Sequence, residues 1–172
     1  MKSPRLLAVA AVLMLGLLTL STTFATSAHD MAAMQATPDP LAGVTVEALG
    51  TVQPASAPGY TLQMLKITMV PGTTIAMHHH PGPVIISVAS GQFTTSFAQS
   101  SAMLTRAGAT EAEAVDSGEE YVMNPGDTVA YDANTTGHVM KNAGTEPLVL
   151  IASVLFEDGQ PGFIFEEATP TS

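Results

Sequence analysis

Short β-prone runs of mainly apolar residues, separated by Gly, Pro, Asn and Asp, dominate the chain beyond residue 43. No amphipathic helix pattern and no internal repeat interrupts them. Short strands joined by such turns are typical of a sandwich or a small closed barrel, so the sequence predicts an all-β fold. The predicted strands are 44–49, 60–70, 74–80, 84–89, 92–97, 102–106, 120–123, 128–131, 138–142 and 148–156.

The two ends of the mature chain have a different composition. The sequence TPDP at 37–40 and the final EEATPTS are typical of flexible segments. We therefore expect one folded domain over 43–166, between a flexible segment 29–42 and a tail 167–172. Inside the domain, residues 107–119 are rich in Ala, Gly and Glu, and they indicate either a mobile loop or a short helical turn.

The first 28 residues have the pattern of a secretory signal peptide. Lys2 and Arg5 precede an unbroken apolar run at 6–18, and small residues follow as far as Ala28. The run is shorter than the roughly 20 residues of a membrane span, which disfavours a retained anchor. We expect cleavage after Ala25 or Ala28 and a secreted, extracytoplasmic protein that does not bind the membrane after cleavage.

Charge and cysteine content exclude several classes of function. The chain has 15 acidic and 5 basic residues, with a net charge of −10, and only Lys66, Arg106 and Lys141 of the basic residues follow the leader. Such a negative surface disfavours nucleic acid and anionic lipid as partners. The absence of cysteine excludes disulfides and thiol catalysis. No serine-hydrolase or phosphate-binding motif is recognisable.

The histidines are the strongest chemical signal. Of the five histidines, all except His29 occupy two places, 78–80 and 138. On an extended strand His78 and His80 share one face, while His79 points to the other. If the strand that begins at His138 lies beside them, a third imidazole reaches the same interior point, and three such rings form a metal site.

The spacing around these histidines resembles the two sequence motifs of the cupin family. In the first motif, five residues separate Gly72 from a His-x-His pair, three residues separate that pair from Val84, and six more residues precede Gly91. In the second motif, Gly126 precedes a loop that ends in the pattern His-x-x-x-Asn. The resemblance implies a single jelly-roll β-barrel holding a divalent metal, with His78, His80 and His138 as ligands. The matching positions are Pro71, Gly72, His78, His80, Gly91, Gly126, His138 and Asn142.

Two positions depart from the family pattern. Val84 stands where the family has a glutamate ligand, and Asp132-Ala133-Asn134 replaces a Pro-x-Gly segment in a loop that is one residue longer. The site therefore has three neutral ligands, which suit zinc, iron, nickel or copper better than manganese. If Val84 occupies the ligand position, its side chain faces the cavity.

Alternative interpretations remain at this point. A histidine run on a solvated strand binds metal adventitiously, and a single core histidine is often only hydrogen-bonded. Met77 and Met140 beside the histidines raise the option of copper storage or transport. One of the tyrosines, Tyr60, Tyr121 or Tyr131, could supply a proton or hydrogen bond to the cavity.

Two hypotheses for function follow. The first is a secreted metalloenzyme, an oxygenase or isomerase, that acts on a small molecule at the open positions of the metal. The second is a non-catalytic module that binds a metal or a small ligand; Val84 and the lack of an evident acid or base favour it. Analogy with the family adds the expectation of a homodimer through edge strands.

Overall fold

Two antiparallel β-sheets form the fold in the computed structural model, which describes residues 39–132 and 136–165. These residues contain no helix, so the predicted all-β class is confirmed for them. The strands are β1 (Val44–Val52), β2 (Tyr60–Met69), β3 (Thr74–His79), β4 (Pro83–Ser90), β5 (Phe93–Phe97), β6 (Met103–Thr105), β7 (Glu113–Ala114), β8 (Glu120–Met123), β9 (Thr128–Asp132), β10 (His138–Lys141), β11 (Leu148–Glu157) and β12 (Ile164–Phe165).

The order of the strands places the two histidine segments side by side. One sheet has the order β1-β2-β11-β4-β9-β6-β7, and the other has the order β12-β3-β10-β5-β8. β10 therefore lies directly between β3 and β5, as a common histidine site requires. The hydrogen-bonded ladders form two separate sheets and do not close into one continuous barrel.

Side chains from both sheets form the hydrophobic core. Along β11 the buried positions alternate with more exposed ones, because successive side chains of a strand point to opposite faces. Fully burying one such aliphatic or aromatic side chain stabilises a fold by about 1.5–3 kcal/mol. The most deeply buried large side chains include Met69, Ile75, Ile86, Phe93, Phe97, Leu104, Met123, Met140, Leu148 and Leu150.

Every predicted strand is present, with differences at some ends, and two further strands occur. Within residues 107–119 the structure has the two-residue strand β7, paired with β6, so this segment is not helical. β12 lies beyond residue 156, where the last predicted strand ends, and it pairs with β3. Both are two residues long, too short for a periodic sequence signal.

Some sequence predictions fall outside the described residues. These are the leader 1–28, most of the segment 29–42, Asn134 in the second-motif loop and the tail 167–172. In the described part of the chain, no helix has the length and hydropathy needed to cross a membrane.

Candidate metal centre

A β-bulge in β3 sets the direction of His78. In the ladder between β3 and β10, His78 pairs with His138 and Ile75 pairs with Met140, so two residues of β3 lie opposite the single Val139. The extra residue brings Ile75 and His78 to the same buried side, although regular alternation would separate them. The bulge thus turns His78 towards the interior, directly across from His138.

Three histidines meet in the interior. The side chains of His78, His80 and His138 are all buried. One ring nitrogen from each of the three lies within 4.8 Å of the nitrogens from the other two. Their ring centroids are 4.3 Å apart for His78 and His138, 4.9 Å for His78 and His80, and 5.2 Å for His80 and His138. Nitrogens that bind one ion at about 2.0–2.1 Å are closer together, so small inward movements of the rings would complete the site.

Each ring uses one nitrogen for a hydrogen bond within the protein. Nδ1 of His78 donates to the carbonyl oxygen of Ala76 at 2.7 Å, and Nδ1 of His80 donates to that of Gly162. Nε2 of His138 lies 3.1 Å from the hydroxyl of Tyr131. Nε2 of His78 and Nδ1 of His138 are buried without a hydrogen-bond partner among the described residues. Buried nitrogens of this kind fit a metal ion, because metal-binding histidines characteristically anchor the other ring nitrogen.

Burial keeps these imidazoles neutral. The pKa of His78 falls to about 4, chiefly because burial desolvates the ring; the Ala76 hydrogen bond opposes this fall, and the neighbouring His80 and His79 add to it. Burial also lowers the pKa of His80, and it lowers the pKa of His138 well below the ordinary value. Neutral imidazole is the form that binds metals, so the cluster is competent at neutral pH.

Val84 faces the interior beside the cluster. Its side chain is buried and lines a small cavity together with His80. Its direct partner across the ladder between β4 and β9 is Tyr131, which therefore points to the same face. Among the described residues, no carboxylate or thiol joins the histidine group. The set of candidate ligands is thus electrically neutral.

Aromatic side chains cover the cluster on the side of the C-terminal segment. Phe156 stacks on His80 at 5.5 Å, while the Phe163 ring lies 5.1 Å from His80 and 5.2 Å from His78. The cavity beneath them has a volume of about 20 Å³, enough for about one water molecule. Phe156 and Phe163 also line an outer groove of about 390 Å³. These two rings therefore separate the groove from the cavity beside His80.

Other residues singled out by the sequence lie outside the cluster. His79 is half-buried and lies outside the group, although its Nδ1 is also buried without a hydrogen-bond partner among the described residues. Asn142 matches the second motif, but its side chain bonds the backbone of Met69, Glu146 and Gly144 and so holds turns together. Of the tyrosines, Tyr131 contacts the cluster, whereas the hydroxyl of Tyr121 accepts a hydrogen bond from the backbone of Asp116.

One family model and several solved structures match this chain. The family model described as "Cupin domain" matches residues 65–154. Similar solved structures include KdgF from Halomonas sp., with 16% identity, 70% of this chain and 86% of that chain covered, and a TM-score of 0.48. The Cupin_2 domain of an XRE family transcriptional regulator from Enterobacter cloacae has 15% identity, coverage of 65% and 95%, and a TM-score of 0.43. No curated protein matches the sequence significantly.

Proposed function

Because this chain belongs to the cupin domain family, we propose that it is a secreted cupin whose jelly-roll barrel binds one divalent transition metal ion through His78, His80 and His138. The observation that carries this proposal is the pair of buried ring nitrogens, on His78 and His138, that lack a hydrogen-bond partner among the described residues. Leaving such atoms unpaired costs about 1–3 kcal/mol each, and an ion between them removes that cost.

The donor set supports a borderline metal. Three neutral imidazoles suit zinc, iron, nickel or copper, whereas manganese prefers oxygen ligands. Met140 is buried and lines the same small cavity as His80, so a thioether also lies near the site. Thioethers favour copper in its lower oxidation state, which keeps copper among the candidates.

A metal held by three histidines keeps open positions, where it can polarise an oxygen atom of a small molecule. That property supports a metal-dependent oxygenase or isomerase as the enzymatic form of the proposal. Phe156 and Phe163 would exclude bulk water from the site, and a substrate larger than water would have to displace them. The outer groove beyond these rings is then the approach route.

A non-catalytic metal or small-ligand binding module is the second candidate. The observation in its favour is the wall of the cavity beside His80, which apart from that histidine consists of apolar side chains and Gly162. Such a wall offers no carboxylate to act as a general acid or base. Oxygen uptake by the metal-loaded protein, screened with catechols, thiols and diketones, separates the two: turnover supports the enzyme, and binding without turnover supports the module.

Metal binding itself is tested with four alanine variants. We expect the purified protein to bind about one ion per chain, measured by elemental analysis and by calorimetric titration with Zn²⁺. His78→Ala, His80→Ala and His138→Ala should each lower the affinity by about 100-fold or more, because each removes a ligand. His79→Ala is the matched control and should bind as the wild type does. Equal losses in all four variants, or no bound ion in the wild type, would contradict the proposal.

A further inference from the structure

The outer groove is formed by β1, β2, the end of β11 and the turn that follows it. Thr61, Gln63 and Leu65 alternate along β2, so their side chains lie on the same face of the strand and line the groove. The volume of about 390 Å³ falls within the range of small-molecule sites, which is about 300–1,000 Å³. No histidine of the described chain lines the groove, so its chemistry is separate from that of the histidine cluster.

The groove combines aromatic rings with carboxylates. Phe156 and Phe163 line it with partly buried rings, and Leu65 adds an aliphatic surface. Glu157, the last residue of β11, and Asp158, which follows it, are both exposed and belong to the same lining. A ligand in this groove would therefore meet an apolar surface and two negative charges at once.

The acidic turn is fixed to the neighbouring segments by hydrogen bonds. The hydroxyl of Thr61 donates to Oδ1 of Asp158 at 2.6 Å, and the backbone N–H of Asp158 donates to the carbonyl oxygen of Gly59 at 2.9 Å. The backbone N–H of Glu157 donates to that of Pro81 at 3.1 Å. The carboxylate of Asp158 is thus held in place before a ligand arrives, which reduces the ordering cost of binding.

The basic residues of the domain form ion pairs elsewhere. These pairs are Lys66–Glu47, Arg106–Glu113, Arg106–Asp127 and Lys141–Glu120. No other Lys or Arg follows the leader. In the part of the chain that the structure describes, no basic side chain therefore neutralises the two carboxylates of the groove. Uncompensated charge of one sign attracts a cation and repels an anion.

We propose that the outer groove binds a small organic cation, an ammonium group carried on an apolar or aromatic body. The ammonium group lies beside Glu157 and Asp158, and the body packs on Phe156 and Phe163. A cation close to an aromatic face is also attracted by the quadrupole of the ring. Binding in the groove needs no metal ion. The inference rests on the proposed function only in giving a ligand class to the route towards the metal centre.

Three probes of similar shape and different charge test this inference on the metal-free protein. They are 2-phenylethylammonium, 2-phenylethanol and phenylacetate, and ¹H–¹⁵N spectra recorded at low ionic strength follow the backbone signals of residues 157–163 during each titration. We expect the ammonium probe to bind about tenfold more tightly than the alcohol, and the carboxylate probe to bind most weakly. Added salt should reduce the difference, because the carboxylates are exposed.

Variants that remove one charge and keep the side-chain size locate the interaction. Glu157→Gln and Asp158→Asn should each weaken binding of the ammonium probe by about two- to fivefold and leave binding of the alcohol unchanged. The double variant should bind both probes with similar affinity. Glu146→Gln is the matched control, because it removes the same charge from a different surface groove.

The outcomes separate this inference from the proposed metal site. Equal affinity of the wild type for the ammonium and the alcohol, or no binding of any probe, would overturn the inference. Equal losses in Glu157→Gln and Glu146→Gln would also overturn it, because net charge and not the groove would then attract the cation. His138→Ala should lose zinc binding and keep ammonium binding. A wild type that binds the ammonium probe but not zinc would contradict the metal proposal alone.

Discussion

Val84 stands beside the histidine cluster at the position where the family pattern has a negatively charged glutamate. It is 2% exposed and borders the same cavity as His80. Val84→Glu would place a carboxylate there, and its charge should tighten binding of a divalent ion by about tenfold or more. The affinity for Zn²⁺ and Mn²⁺, measured by calorimetry, checks the prediction. Val84→Gln has the same size without the charge and should not tighten binding; identical results for the two variants would refute the strand alignment.

Asp127 gives the fold a defined sensitivity to acid. Its buried carboxylate accepts hydrogen bonds from the backbone of Ala107 at 2.8 Å and Asn124 at 3.0 Å, and it pairs with Arg106 at 3.1 Å. Burial raises the pKa of this carboxyl, but the hydrogen bonds and the guanidinium outweigh burial and lower the pKa below its ordinary value of 3.8. The unfolded chain therefore takes up the proton first, so the stabilisation is present above about pH 4 and is lost as the pH falls through the folded pKa.

Asp127→Asn should remove this pH dependence. We expect a loss of about 1–3 kcal/mol in the free energy of unfolding at pH 7, and a loss that shrinks as the pH falls below about 4 towards the folded pKa, because the wild type progressively loses the benefit of the charge. Urea denaturation at several pH values measures both. Glu113→Gln is a suitable control, since Glu113 pairs with the same Arg106 but is 56% exposed. A constant difference between wild type and Asp127→Asn at every pH would show that the charge is irrelevant.

At the scale of single residues, the sequence predicts the cluster but not its anchors. Strand periodicity predicted that His78 and His80 share one face, whereas the placement of the distant His138 beside them rested on the resemblance to the cupin motifs. The roles of Tyr131 and Gly162 depend on contacts between segments that are distant in sequence, such as the bond over 82 residues between His80 and Gly162. Tyr131 was one of three tyrosines that the sequence could not rank.

At the scale of elements, the turn between β3 and β4 holds the second ligand. A Cβ atom on Gly82 would overlap the carbonyl oxygen of Leu155 in β11, so only glycine lets this turn lie against β11. The adjoining Pro81 accepts a hydrogen bond from the backbone of Glu157 at 3.1 Å. The position of His80 therefore depends on the contact between this turn and the end of β11.

Gly82→Ala should both destabilise the protein and weaken metal binding. The added methyl group forces the backbone apart at a cost of about 1–3 kcal/mol, and His80 moves with the turn. Thermal unfolding and Zn²⁺ titration measure the two effects. Gly50→Ala is the control, because nothing lies within 4 Å of the added Cβ. If Gly82→Ala matched Gly50→Ala in both measurements, this turn would not position His80.

The sequence predicts the long strands but not the bulge in β3 or the two shortest strands, β7 and β12. The longer strands were found because apolar runs bounded by turn residues extend over several positions. The bulge in β3 has no recognisable sequence pattern. It is visible only in the pairing with β10, where two residues of β3 lie opposite one residue of β10. β7 and β12 form because neighbouring strands offer unpaired edges, and that is a property of the assembled sheets.

At the scale of the whole molecule, the pairing of distant strands defines the fold. β2 lies between β1 and β11, and β4 lies between β11 and β9, so the larger sheet joins segments from both ends of the domain. Composition and turn spacing predicted the all-β class. Composition and turn spacing could not predict this strand order. The order depends on contacts between strands that are distant in sequence, and these contacts exist only in the folded chain.

Export with removal of the leader is the prediction at this scale. Lys2, Arg5 and the apolar run at 6–18 should direct the chain across a membrane, and cleavage after Ala25 or Ala28 should follow. Intact-mass measurement on protein recovered from outside the cytoplasm should show a chain that begins at residue 26 or 29. Replacing Lys2 and Arg5 with glutamate should reduce export. A mass that still includes residues 1–25 would favour a membrane anchor instead.

The hydrogen bond between His80 and Gly162 makes the C-terminal segment part of a thermodynamic linkage. A metal that fixes the His80 ring also favours the segment conformation that offers the Gly162 carbonyl. Linkage is reciprocal, so whatever orders this segment raises metal affinity by the same factor by which the metal orders the segment. Local opening around β12, which pairs with His78 and His79, would thus compete directly with metal retention. With a metal bound to His80 as proposed, closure of the segment after β11 would be coupled to the affinity for that metal.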